Sequence, residues 1–141
     1  TVSEEGALPP LVGSPLGTSM AGGGHKLEAD ATLENNPGFL FDALVLPDGP
    51  QGVQALSADG HTMDFIKDHY RHCKAILALG ASRDLLAQAG IPQTLPDGNP
   101  DPGLIRVDVA DGAGVASGTA DFVAALALHR HYARETDPPL V

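Results

Sequence analysis

The strongest hydrophobic signal lies mid-chain, where Ala75, Ile76, Leu77, Ala78 and Leu79 run without a charge and then meet Gly80. An amphipathic helical pattern begins directly afterwards, with Leu85, Leu86 and Ala89 on one side. A short apolar run closed by glycine and followed at once by a helix predicts a fully buried parallel strand that turns sharply upward. A second run, Ala43 through Leu46, stops at Pro47-Asp48-Gly49-Pro50 and predicts a second buried parallel strand. Between the two, Met63, Ile66, Tyr70 and Cys73 recur at spacings of three, four and three, one face of a helix over residues 59–72. Asp64, Lys67, Asp68 and Arg71 fill its other side with opposite charges at helical spacings. Ile105, Val107 and Val109 alternate with Arg106 and Asp108, the mark of a half-buried strand near a sheet edge. A final helix is predicted over residues 119–134, with Phe122, Val123, Leu126 and Tyr132 available for packing. Strand and helix in alternation argue for an open α/β sheet with helices on both faces.

Weaker patterns fill the remainder. Residues 1–6 read as the end of a helix closing on Gly6. Residues 7–12 read as a strand, demoted to an edge or an irregular lead-in because Pro9 and Pro10 cannot donate to a ladder. Gly22-Gly23-Gly24 sits between two short segments, a hairpin signal over residues 20–30. A phosphate-cradling reading of that triplet fails, since no Gly-Lys-Ser/Thr and no helix follow it. Residues 92–103, with four prolines and two glycines, form a loop. Ser82 is placed to cap the helix after Gly80, with Asp84 in its first turn.

Composition narrows the function. At 141 residues the chain is one domain, long enough to bury a real core. Its 8 basic and 18 acidic residues leave a net charge of −10, which argues against nucleic acid as a partner because phosphate contacts need clustered Lys and Arg. Cys73 is the single cysteine, so no internal disulfide is possible, and its place before a buried strand suits a packed thiol. No apolar run approaches membrane-spanning length and no signal peptide opens the chain, so a cytoplasmic location is expected.

Candidate chemistry is thin. His69 and His72 stand at i and i+3 on the strongest helix, a workable metal spacing, but further ligands would have to be guessed from His61 or Asp68. Solvated polar-face histidines are the better reading, and no metal site is assigned. His129 and His131, on one helix, would point about 200° apart and could not share an ion. A strand-to-helix turn is where α/β enzymes mount a nucleophile, yet Ala78, Leu79 and Gly80 carry nothing that attacks. Ser82 lies too far into the helix to replace one.

The turn resembles the nucleophile elbow of the class I glutamine amidotransferase-like (flavodoxin-like) superfamily, whose protease and deglycase members carry Cys-x-Gly there. On this resemblance Ala78 takes the degenerate nucleophile position and Gly80 the elbow glycine. Asp48-Gly49 stands where the family often carries Gly-Gly, a departure from an oxyanion-binding loop. Further segments are most similar to the carboxy-terminal domain of large-subunit haem catalases of the hydroperoxidase II type. They are Ser14-Pro15-Leu16-Gly17, Thr32-Leu33-Glu34-Asn35, Phe41 through Gly49, Tyr70-Arg71-His72-Cys73-Lys74 and His129 through Pro139.

The resemblance implies a parent enzyme that dismutates hydrogen peroxide with haem as a homotetramer, and a segment that holds no haem and no catalytic residue itself. Tyr70 and Tyr132 are then packing residues rather than haem ligands. Its partners would be the catalase core of the same polypeptide and neighbouring subunits, and its role structural. The resemblance also implies that the sheet's first strand, with the Glu that family enzymes use beside the cysteine, is missing, so the chain is expected to be a piece of a longer one. Rival readings are a free-standing hydrolase or glyoxalase of the same superfamily and a chaperone-like module.

Overall fold

The computed structural model describes residues 3–13, 18–20, 26–110 and 112–136. Its centre is a three-stranded sheet of β5 (Ala43–Leu46), β6 (Ala75–Leu79) and β7 (Leu104–Val107), in that order. Both pairings are parallel, and one register row runs Leu46, Ala78, Arg106. Ahead of the sheet lie two small pairs. β1 (Val12–Gly13) and β4 (Ala31–Thr32) are parallel, whereas β2 (Thr18–Met20) and β3 (Lys26–Glu28) form the expected antiparallel hairpin. The glycine triplet 22–24 lies outside the described residues.

The unbroken apolar run of β6 has a direct cause: both of its faces are covered. Ile76 and Ala78 face a cluster with Ile66 and Tyr70 of α2 (Gly60–Arg71) and with Leu85 and Leu86 of α3 (Arg83–Gln88). Val53 of α1 (Pro50–Ser57) completes that side. Ala75 and Leu77 point the other way, onto Phe122 and Ala125 of α4 (Gly112–Ala127). Helices on both faces of a parallel sheet are the expected class. The helical phase of residues 59–72 holds too, with Asp59 capping α2 by accepting the His61 N–H at 3.0 Å.

Four expectations need correction. β5 is not fully buried: it pairs only with β6 among the described residues, and Val45 is 43 % exposed. Residues 7–12 keep only Val12 in a strand, and Leu8 is fully in solvent, as the two prolines suggested. Residues 3–6 form a turn rather than the end of a helix, with Gly6 at φ +86°. The last helix starts seven residues early and stops at Ala127, so His129, His131 and Tyr132 lie beyond it.

Packing explains that last shift. Gly118 brings α4 so close to β7 that a Cβ there would sit 2.1 Å from Val107 Cγ2. At residue 118 a glycine that reads as a helix breaker is therefore retained for contact. After Ala127 the chain reverses through His129 at φ +61°, and a 3-10 turn (Tyr132–Thr136) carries Arg134 back into the core. Its guanidinium meets Asp101 at 2.6 and 3.1 Å and the Lys74 carbonyl at 2.8 Å, over the ring of Tyr70.

Candidate functional site: the carboxyl edge of the sheet

In open α/β sheets, ligands bind outside the carboxyl ends of the strands. Here that edge gathers Asp48 after β5, Gly80 to Arg83 after β6, and Asp108 after β7. The bend after β6 is as sharp as the sequence suggests, and its left-handed residue is Gly80 at φ +52°. Ala78 is not at the apex. It is the penultimate residue of β6, fully buried within the helix-facing cluster. The apex therefore carries no side chain at all, where a methyl group was expected.

The space over the apex is filled from the neighbouring strand. Asp48 Oδ1 accepts the Ala81 N–H at 2.8 Å. A Cβ on Gly80 would lie 2.2 Å from that same oxygen and 2.3 Å from Asp48 Cγ. The Ala81 N–H, and after it the Gly49 N–H, hold the Asp48 carboxyl below the usual carboxylate range. Arg83 donates from Nε to the Gly80 carbonyl at 2.9 Å and reaches within 3.6 Å of Asp108 Oδ2. Sequence reasoning singled out neither Asp48 nor Asp108 as a side chain at the site. Their place directly after the apolar strands was the available signal.

Ser82 does not cap its helix. Its buried hydroxyl lies 2.9 Å from the Leu46 carbonyl and 2.8 Å from that of Leu79, and its single proton serves one of them at a time. It ties two strand ends together through their backbone carbonyls.

The histidines do not converge. His69 is fully buried rather than solvated, its Nδ1 2.9 Å from the Phe65 carbonyl and its ring 4.9 Å from that of Phe65. Burial lowers its pKa to about 4, opposed by the Phe65 carbonyl. His72 is exposed at the end of α2, and His131 is buried with Nε2 3.1 Å from the Ala125 carbonyl. No group of three or more His, Cys, Asp or Glu among the described residues is placed to hold a metal. Cys73 is buried, and burial followed by the Glu135 charge pushes its thiol pKa up. Lys74, which the sequence reading passed over, is buried with its ammonium donating to the Phe39 and Phe41 carbonyls. No helix among the described residues is long and apolar enough to cross a membrane.

Comparison with known proteins places this geometry. The chain resembles a DJ-1/ThiJ/PfpI-like and ferritin-like two-domain protein of Anabaena variabilis at TM-score 0.74 and 17 % identity, over 89 % of this chain and 42 % of that one. A ThiJ/PfpI domain protein of Brachyspira murdochii aligns at TM-score 0.64 and 18 % identity, over 84 % of this chain and 78 % of the other. These likenesses concern the fold. In sequence, the chain is 34 % identical over 140 residues to catalase HPII of Mycobacterium avium, covering 96 % of this chain and 20 % of that protein. Catalase-1 of Neurospora crassa is 29 % identical, again over 96 % of this chain and 20 % of the relative. The chain thus spans about a fifth of the length of these relatives. A family model described as the C-terminal domain found in long catalases matches residues 2–136. The chain belongs to the family of C-terminal domains of long catalases.

Proposed function

We propose that this chain is the non-catalytic C-terminal domain of a cytoplasmic, homotetrameric haem catalase that converts hydrogen peroxide to water and oxygen, and that it stabilises subunit folding and assembly. The observation that carries the non-catalytic reading is the apex of the bend after β6, where Gly80 has no side chain and the Asp48 carboxylate occupies the space a nucleophile would need. Family membership over residues 2–136 supports the parent activity.

Haem, which carries the redox chemistry in such an enzyme, does not fit the tyrosines of this domain. Tyr70 is 3 % exposed and lies beneath the Arg134 guanidinium at 4.7 Å, whereas Tyr132 stands 65 % exposed on a short turn. On this reading the catalase core of the same polypeptide binds the haem.

The test is a comparison of the full-length catalase with a version lacking this domain. Turnover per bound haem is expected to stay within about twofold, while tetramer yield and thermal midpoint fall. Peroxide turnover by residues 1–141 alone would overturn the reading, as would loss of turnover per haem on substituting Asp48.

A further inference from the structure

The Asp48–Gly80 contact joins two features that are independent in sequence, 32 positions apart. The first is steric. All three heavy atoms of the Asp48 carboxylate lie within 2.8 Å of where a Cβ on Gly80 would be, so the carboxylate sits inside the volume of the missing side chain. The second is polar. The same carboxylate accepts the Ala81 N–H, the backbone donor next to the apex. Gly80 and Asp48 also stand at the carboxyl ends of adjacent parallel strands, where a sheet of this class opens its ligand crevice.

We propose that Asp48 is an intramolecular plug: its carboxylate takes both the volume and the backbone donor at the apex of the β6 bend, so the chain closes its own crevice. The proposal rests on the reading of the domain as non-catalytic and supplies its physical cause. Residue 80 must then be glycine for two separable reasons. One is the left-handed backbone, which penalises any Cβ. The other is Asp48, which penalises a Cβ only while the carboxylate is present.

The test uses the full-length polypeptide that carries this domain, with Asp48→Ala, Gly80→Cys and the double substitution. In the Asp48→Ala chain the Ala81 amide is expected to exchange with solvent about tenfold faster or more, with amides of the β6 interior unchanged. Gly80→Cys alone is expected to lower the thermal midpoint and to resist iodoacetamide. Adding Asp48→Ala is expected to recover part of the midpoint and to raise the alkylation rate at residue 80 by about tenfold or more. Mass mapping separates that site from Cys73 because Lys74 lies between them. Strict additivity of the two substitutions in midpoint, with no rise in alkylation at residue 80 when Asp48→Ala is added to Gly80→Cys, overturns the proposal. If the cysteine variants do not fold, the amide measurement decides, and unchanged protection of Ala81 in Asp48→Ala overturns it. Such a failure would leave the non-catalytic reading standing, whereas peroxide turnover by the isolated chain would remove that reading without touching the Asp48–Gly80 coupling.

Discussion

The buried polar residues divide into paired and unpaired, and the two kinds make opposite demands. The Arg134 and Asp101 side chains are 1 % and 2 % exposed, and the pair is closed by two short contacts. Breaking such a pair strands a charge in the interior, so Asp101→Asn is expected to cost about 3 kcal/mol, read from urea unfolding. A loss below about 1 kcal/mol would mean that water reaches the guanidinium. His69 makes the other demand. Its folded pKa is lowered to about 4 from 6.5, so between those values the unfolded chain takes up a proton that the folded chain excludes. Stability therefore holds above about pH 6.5 and falls as the pH drops toward 4, by about 3 kcal/mol from this group. His69→Gln should flatten that part of the stability profile relative to the parent chain, and an unchanged slope would assign it elsewhere. Neither residue announced itself in the sequence: a histidine at i+3 from Ile66 reads equally as either face of a helix, and Arg134 reaches its partner only because the chain leaves the helix at His129. The apex was legible to within two residues. Glycine marked the bend, but an apolar run does not reveal which residue takes a left-handed φ.

At the level of elements, β6 and α2 were readable because local pattern and packing agree. Five apolar residues without a charge are what a strand covered on both faces requires, and both clusters draw alternate residues from it. α4 was half readable. Its first turns, Gly-Ala-Gly-Val-Ala-Ser-Gly, argue against a helix by propensity, and tertiary contact overrides that preference. Gly118 locates the override against Val107. Gly118→Ala would gain about 1 kcal/mol by propensity alone, but the overlap with Val107 is expected to turn this into a net loss of about 1–2 kcal/mol. Val107→Ala in the same chain should recover part of it, and a gain in thermal midpoint from Gly118→Ala alone would show that α4 slides freely over β7.

For the whole molecule, the contrast between the two sheet edges matters most. β7 carries the exposed Arg106 in its middle and Asp108 just beyond, charges of the kind that keep an edge from pairing. β5 reads Ala-Leu-Val-Leu, with no charge, proline or bulge, and its Val45 faces solvent. The isolated chain is therefore expected to self-associate as its concentration rises, and Val45→Lys to suppress this with little cost to folding. Sedimentation velocity checks both, and association unaltered by the lysine would move the contact off β5. The open character of that edge was not visible in the run itself, since an apolar run reports how the faces of a strand are covered and not whether its outer backbone groups meet a partner strand.

The return of Arg134 bears on how the domain is made. Its guanidinium closes on Asp101 and on the carbonyl of Lys74, 60 positions earlier, so biosynthesis delivers every strand and long helix before the cation that neutralises the Asp101 carboxylate. A nascent polypeptide halted just short of residue 134 would hold every strand and α-helix described here and still lack its fastening. Premature termination there would surface as rapid proteolytic loss in the cell, with no missing helix or strand to account for it.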